Sequence, residues 1–294
     1  MLPQSPLPAT LPDLTLDPAA DNYAVFGHPV AQSKSPLIHQ LFARQTGQHL
    51  RYQAVLVPPG QFAAALDRFQ AQGGKGLNIT LPFKGEAWAA TINRSARAER
   101  CGSVNTIWFD ANGRRCGDTT DGLGLLRDFE RQGMEVSGRR VLLLGAGGAV
   151  GGVLPDILAR APSRLVIANR TVSRAADLLR QSAGSSDCVQ ACGYEALAGQ
   201  EFELVINGTS LGLQGEIPPL PDGILAAGAG CYDMVYGEAP TSFCRWAQDQ
   251  GAVNISDGLG MLVEQAAESF LIWRGVRPET QPVIDRLRLS AVVV

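Results

Sequence analysis

The chain has 294 residues, 45% of them hydrophobic, with 25 Lys and Arg against 28 Asp and Glu for a net charge of −3. That length suits two domains, each able to bury a full core. The mild acidity argues against a broad basic face for nucleic acid, and no apolar run approaches the ~20 residues that cross a bilayer. Six cysteines at 101, 116, 188, 192, 231 and 244 show no metal-type pairing and read as reduced thiols of a cytoplasmic protein. With only His28, His39 and His49, neither a histidine zinc site nor a Ser-His-Asp triad is supported, and no metal is expected.

Residues 1–20 hold several prolines and no Lys or Arg, lack the basic start and apolar centre of a signal peptide, and read as a disordered tail. A strand is predicted at 23–26. A helix follows over 35–45, with Ser35 as its N-cap and Pro36 at its first position. A strand at 51–57, a helix at 61–70 and a strand at 76–79 come next. Residues 104–109 and 115–117 form a hairpin around Asn112-Gly113. A helix at 122–132 leads to a second block that starts at Arg140 and alternates strand and helix through Ile167, Leu178, Val205 and Tyr232 to about Ile255. A long helix over 259–273 and a shorter one after Pro278 close the chain. The alternation predicts two open α/β sheets with parallel cores and a ligand in the cleft at the carboxyl ends of their strands.

The second block opens with the apolar run 141–144, which breaks into Gly145-Ala146-Gly147-Gly148-Ala149. A buried strand turning into a helix through glycines lets the backbone approach a dinucleotide pyrophosphate. Val150 stands where a small residue favours close helix–strand packing; Gly151 and Gly152 are expected to absorb the crowding. Pro155 is expected to kink the helix or lie near its start. The next strand, 165–168, runs into Asn169-Arg170-Thr171. A carboxylate at its end would suit the 2′-hydroxyl of NAD; Arg170 suits a 2′-phosphate, so the cofactor is predicted to be NADP(H).

In the first block, polar groups gather at strand ends: Ser33 and Ser35 before a helix, Asn78, Thr80 and Lys84 after a strand, then Asn105 and Asp121. Each has a plain alternative: Ser35 and Asp121 as helix caps, Lys84 as a solvated surface lysine. Their convergence on one edge of one sheet favours a small-molecule site.

The motifs Ser33-Lys-Ser-Pro, Asn78-Ile-Thr-Leu-Pro-Phe-Lys84, Val104-Asn105-Thr106, Thr120-Asp121-Gly122, Asn169-Arg-Thr171, Asn207-Gly-Thr-Ser210, Tyr232-Asp-Met-Val-Tyr236 and Gly258-Leu-Gly-Met-Leu-Val-Glu-Gln265 occur in that order. Together they resemble the shikimate dehydrogenase family over roughly residues 21–273. The resemblance implies NADPH-dependent reduction of 3-dehydroshikimate to shikimate, in aromatic amino-acid biosynthesis. It implies a substrate-binding domain over 21–121 plus 259–290 and a Rossmann-like NADP-binding domain over 122–258. By the same resemblance Ser33, Ser35 and Tyr236 hold the substrate carboxylate, and Asn78, Thr80, Asn105, Asp121 and Gln265 read ring hydroxyls. Lys84 moves the proton, with Asp121 beside it. Gly145, Ala146, Gly147, Gly148 and Ala149 cradle the pyrophosphate; Asn169, Arg170, Thr171 and Arg174 surround the 2′-phosphate; Met234, Gly258 and Met261 line the nicotinamide side. Gln32, Thr119 and Val150-Gly151 depart from the family pattern. Quinate or aminoshikimate as substrate, and a non-catalytic NADP(H) sensor on the same fold, are the other readings. The assembly is expected to be a monomer or a homodimer.

Overall fold

The structure, a computed structural model, describes residues 14–182 and 188–291. The chain divides into two compact units, residues up to Thr120 with Ala266–Glu279, and Asp121–Gln265 with the residues from Thr280 on.

The first unit runs β1 (Asp21–Gly27), α1 (Ser35–Gln45), β2 (Leu50–Leu56), α2 (Phe62–Ala71), β3 (Gly76–Ile79), α3 (Lys84–Ala90), β4 (Asn93–Arg94), α4 (Ala96–Cys101), β5 (Thr106–Phe109) and β6 (Arg115–Asp118). Its sheet has the order β2-β1-β3-β5-β6-β4. β1 is parallel to β2 and β3, while β5 runs antiparallel to β3 and β6. The expected hairpin is present: Gly113, at φ +73°, donates to the Asp110 carbonyl at 2.9 Å. Apolar side chains alternating along the strands, such as Ala24, Phe26, Leu77 and Ile79, pack with Phe62, Leu66 and Phe69 of α2 into one core.

The tail and the start of α1 differ from expectation. Residues 1–13 of the expected disordered tail lie outside the described residues, but 14–20 are tied down. Leu14 is buried in the core, and the Asn22 side chain accepts from the Asp17 amide at 2.9 Å and donates to the Asp17 and Ala20 carbonyls at 2.8 Å. Helix α1 starts at Ser35 itself, with Pro36 second and no side-chain cap at Lys34. The Ser33 hydroxyl, not that of Ser35, accepts from an orphan amide, that of Ser35, at 3.3 Å.

Behind β1 and β2 sits an aromatic cage around His39, which is fully buried. Its ring stacks on Tyr52 at 4.2 Å and 8°, with Phe42, Phe270 and Trp273 around it. Loss of water at this site disfavours the imidazolium and pushes the His39 pKa down to about 3. Unfolded, the group titrates near 6.5, so between these values the unfolded chain binds a proton that the folded chain refuses, and stability is lost as pH falls. His39→Phe keeps the stacking and removes the titration. Denaturant unfolding at about pH 8 and about pH 5 is expected to show the wild type losing about 2 kcal/mol more than the variant. Equal losses would mean that His39 titrates normally.

The second unit runs α5 (Asp121–Gln132), β7 (Arg140–Leu144), α6 (Gly148–Ala159), β8 (Arg164–Ala168), α7 (Val172–Ser182), β9 (Val189–Cys192), β10 (Phe202–Asn207), β11 (Leu225–Asp233), α8 (Ser242–Asp249), β12 (Asn254–Asp257), α9 (Leu259–Arg274) and α10 (Gln281–Ala291). Its six strands are all parallel, in the order β12-β11-β10-β7-β8-β9. The order reverses between β7 and β10, which is where doubly wound sheets open a crevice for a ligand. Successive residues of β7 and β8 point to opposite cores, Val141, Leu143, Leu165 and Ile167 to one and Leu142, Leu144, Val166 and Ala168 to the other. That two-sided burial is why these strands read as unbroken apolar runs.

The unit boundary falls inside α9, between Gln265 and Ala266, so of the expected 259–290 segment only 266–279 belong with the first unit. Helix α10 is held to the second: Arg288 pairs with Asp257 at 2.8 Å, and Thr280 donates to Glu264 at 2.6 Å. Pro155 lies inside α6 rather than near its start. None of the six cysteines is in a disulfide, and burial pushes the Cys231 thiol up to about 12. Among the described residues no helix is long and apolar enough to cross a membrane, and no cluster of His, Cys, Asp or Glu has a metal-binding arrangement.

Candidate functional site

The first unit brings Asn78 and Asn105, two of its expected polar residues, together through a buried hydrogen-bond network. Asn78, at the end of β3, donates from Nδ2 to the Ser269 hydroxyl at 2.9 Å and to the Thr106 hydroxyl and the Asn105 carbonyl at 3.2 Å. Its Oδ1 accepts from the Tyr52 phenol at 2.8 Å. Asn105 accepts on Oδ1 from the Thr106 hydroxyl at 2.8 Å and the Thr120 amide at 3.0 Å, and donates from Nδ2 to the Thr120 hydroxyl at 3.0 Å. Ser269 Oγ lies 2.8 Å from Thr106 Oγ1 and 3.3 Å from Thr120 Oγ1. Thr106, Thr120 and Ser269 are fully buried, so each satisfied partner offsets a desolvation cost and fixes the two amides in one orientation.

Ser35, Thr80, Lys84 and Asp121 are the further candidates for contact with a ligand. Ser35 is buried and its hydroxyl bonds the Tyr52 phenol, whose pKa is pushed well up by burial. Thr80 takes its place from the sheet: its amide donates to the Phe26 carbonyl at 2.9 Å, and its methyl lies only 2.4 Å from where a Cβ on Gly27 would stand. Lys84 is the first residue of α3 and half-buried, and its carbonyl accepts from the Val104 amide at 3.1 Å. Asp121 follows Thr120 directly and opens α5 in the second unit, buried, with Oδ2 at 3.2 Å from the position of a Cβ on Gly152.

The second unit carries the rest. Gln265, on α9, donates to the Leu262 carbonyl at 2.7 Å, and its backbone packs so closely on Gly124 that a Cβ there would be 2.7 Å from the Gln265 nitrogen. Tyr236 is half-buried; burial raises its pKa and the negative charge of Asp257 adds to the rise.

The glycine turn between β7 and α6 fits a dinucleotide. Gly145 sits at φ +100°, a conformation that only glycine adopts cheaply, and donates to the Ala168 carbonyl at 2.8 Å. A Cβ on Gly147 or Gly148 would meet nothing within 4 Å, and Gly148 is the first residue of α6. The turn therefore faces open space with the unsatisfied amides and positive dipole end of a 12-residue helix beneath it, a ready anion site. At the end of β8, Asn169 donates to the Thr171 carbonyl at 2.8 Å and the Arg170 backbone donates to the Tyr194 phenol. Arg170, Thr171 and Arg174 are exposed, so both guanidiniums are available to a phosphate. Past β11, Met234 donates its amide to the Asn207 carbonyl at 2.8 Å, and a Cβ on Gly258 would stand 2.3 Å from the Met234 carbonyl oxygen. Gly258 is thus required by close approach of two backbones.

Gly151 and Gly152 are closely packed, a Cβ on them standing 3.3 Å from Leu178 Cδ1 and 3.2 Å from Asp121 Oδ2, but the contact with the Val150 side chain is made elsewhere. Val150 is fully buried, and Gly208 is the residue that makes room for it. Reading the sequence missed Tyr52, Ser269 and Asp233. Ser269 had a signal, one hydroxyl four residues after Gln265 in an apolar helix. Tyr52 had none, because an aromatic at a strand position reads as ordinary; Asp233 lay inside the Tyr232-Asp-Met-Val-Tyr236 motif, but an acid at a strand end suggested no role of its own. Asp233 is fully buried, accepts from Asn207 at 3.0 Å and from Thr241 at 2.6 Å, and has a raised pKa, chiefly from burial.

Comparison with known proteins gives the family. Models of the shikimate dehydrogenase substrate binding domain, of shikimate/quinate 5-dehydrogenase and of the shikimate 5′-dehydrogenase C-terminal domain match residues 25–107, 128–211 and 258–288. The shikimate dehydrogenase (NADP(+)) of Alkalilimnicola ehrlichii is 58% identical over 269 residues, covering 91% of this chain and 98% of its own. Among solved structures, an Ael1 enzyme from Pseudomonas putida is 46% identical with a TM-score of 0.85, covering 91% of this chain and 98% of its own. Shikimate 5-dehydrogenase from Thermus thermophilus, solved in complex with NADP(H) and shikimate, is 31% identical with a TM-score of 0.81, covering 92% of this chain and 99% of its own. With identity of this level along nine-tenths of its length, this chain belongs to the shikimate dehydrogenase family.

Proposed function

We propose that this chain catalyses the reversible NADPH-dependent reduction of 3-dehydroshikimate to shikimate, in the cytoplasm. The observation that carries this reading is the buried network of Asn78, Asn105, Thr106, Thr120 and Ser269, which supports a rigid polar edge and leads directly into Asp121. A hydroxylated ring needs many fixed donors and acceptors, and such a network supplies them at no cost of ordering on binding. NADPH, when bound, supplies a hydride to the C3 carbonyl carbon. The charge that develops on the carbonyl oxygen is stabilised by the Lys84 ammonium, which gives that oxygen a proton from Nζ. Asp121 orients Lys84 and accepts from the neighbouring ring hydroxyl. Asn78, Thr80, Asn105 and Gln265 read the ring hydroxyls, and Ser33, Ser35 and Tyr236 hold the carboxylate. Gly145, Ala146, Gly147, Gly148 and Ala149 hold the pyrophosphate. Asn169, Arg170, Thr171 and Arg174 hold the 2′-phosphate, and Met234, Gly258 and Met261 pack on the nicotinamide.

NADPH oxidation followed with 3-dehydroshikimate, beside NADH and quinate, tests this reading. Turnover with 3-dehydroshikimate and NADPH well above the other pairs is expected; tight NADPH binding without turnover would point to a sensor instead. A finer test uses the two serines. Ser35 caps no helix amide, but its hydroxyl bonds the buried Tyr52 phenol, so Ser35→Ala is expected to raise KM for shikimate and to cost about 1 kcal/mol of stability through that lost bond. Ser33→Ala is expected to raise KM and also to cost ~1 kcal/mol of stability, because its hydroxyl serves the helix start. Melting curves recorded beside the kinetics check both: a loss of stability with unchanged KM in either variant would make that serine structural only.

A further inference from the structure

We propose that Val150 and Gly208 form a size-matched pair that sets the width of the cofactor turn, with Gly208 as a positioning residue for the cofactor. This rests on the glycine turn being the NADP(H) site. Val150 lies in the first turn of α6, directly after the glycine loop, and is fully buried. Gly208 follows β10 in the neighbouring strand-end loop, where its amide donates to the Leu144 carbonyl of β7 at 2.9 Å. A Cβ on Gly208 would stand 2.4 Å from Val150 Cγ2, 3.2 Å from Met234 Sδ and 3.3 Å from the Leu144 oxygen. The valine methyl therefore occupies the space that a side chain at 208 would need.

The same loop also abuts the first glycine of the turn. A Cβ on Gly145 would be 3.2 Å from the Gly208 carbonyl carbon and oxygen and from Thr209 Cγ2. Gly208 thus touches the first turn of α6 on one side and the start of the glycine turn on the other. Its loop is held firmly. The Thr209 amide and hydroxyl both donate to Asn207 Oδ1, at 3.1 and 2.8 Å, and Asn207 donates onward to Asp233. Of the three groups crowding position 208, the Leu144 oxygen is fixed in the sheet, and Met234 is a flexible side chain that yields. Val150 is branched and anchored in a close-packed core, so it does not yield. A methyl group at 208 is expected to push the 207–209 loop and the glycine turn apart.

Gly208→Ala, Val150→Ala and the double variant V150A/G208A, read by NADP+ affinity and KM for shikimate, test the pair. Gly208→Ala is expected to weaken NADP+ binding by about tenfold or more, with KM for shikimate at saturating cofactor little changed. Val150→Ala alone removes a methyl-lined wall and is expected to shift affinity by less than about threefold. The double variant is expected to bind NADP+ within about threefold of Val150→Ala, because the space taken by the new methyl has been vacated. Rescue is a readout that a general loss of stability at 208 would not give. Wild-type NADP+ affinity in Gly208→Ala would overturn the proposal, as would a double variant that binds as poorly as Gly208→Ala. If Gly208→Ala does not fold, the double variant decides alone: a folded, cofactor-binding protein supports the pair, and an unfolded one refutes it. Wild-type-like turnover with 3-dehydroshikimate but no NADP+ effect in any variant separates failure of the pair from failure of the functional reading.

Discussion

Lys84→Ala is expected to fold, to bind shikimate and NADP+, and to lose about 10²–10⁴ in kcat. The backbone around the residue is held independently of the ammonium. Its carbonyl accepts from the Val104 amide at 3.1 Å, and the preceding Phe83 is fully buried and stacked on Phe62 at 5.4 Å. Truncation therefore removes the amine and leaves the start of α3 in place. If the amine acts on charge that exists only in the transition state, kcat and kcat/KM fall together while KM changes little. If Asp121 both orients the lysine and contacts the ring, Asp121→Asn is expected to lower kcat and to raise KM as well. A surface lysine predicts no kinetic effect. Near-wild-type kcat in a well-folded Lys84→Ala would move the proton transfer to Asp121 or Tyr236.

What could be read from the sequence depended on whether the signal was local. The runs 141–144 and 165–168 are apolar because both of their faces are buried, and the glycines after the first are tied to one turn geometry, so the second sheet and its cofactor end were legible in order. Helix α3, at seven residues, and strand β4, at two, were too short to show a period, and Lys84 was therefore placed after a strand rather than at a helix start. The Ser35 cap failed for a different reason. Ser, Lys and Ser in succession offer several equivalent starts, and only the backbone decides that Ser33 serves the first amide. The partners of Asn78 were out of reach altogether. Tyr52 is 26 residues away and Ser269 is 191 residues away, and a hydrogen bond across such separations leaves no mark on either segment. The crowding at Val150 was legible as a departure, but its relief lay at Gly208, on another strand.

Arg170→Ala is expected to weaken NADPH binding by roughly ten- to a hundredfold and to leave NADH nearly unchanged, because a charge-assisted hydrogen bond contributes about 1.5–3 kcal/mol. The position permits a clean test. Arg170 is exposed, so truncation opens no cavity, and its backbone path is set by other contacts. The Asn169 amide donates to the Cys192 carbonyl at 3.1 Å, the Asn169 side chain closes on the Thr171 carbonyl, and the Arg170 backbone donates to Tyr194. None of these needs the guanidinium. A contact between an exposed guanidinium and a phosphate is screened by salt, so the preference for NADPH over NADH is also expected to shrink as salt rises, in the wild type more than in the variant. Arg174, in the first turn of α7 and equally exposed, would hold part of the charge, so the loss is expected to stop short of abolishing binding. Arg170→Ala/Arg174→Ala is expected to bind both cofactors about equally. Equal losses for NADPH and NADH in Arg170→Ala alone would mean that the arginine supports the loop, and the 2′-phosphate would then have to be read elsewhere.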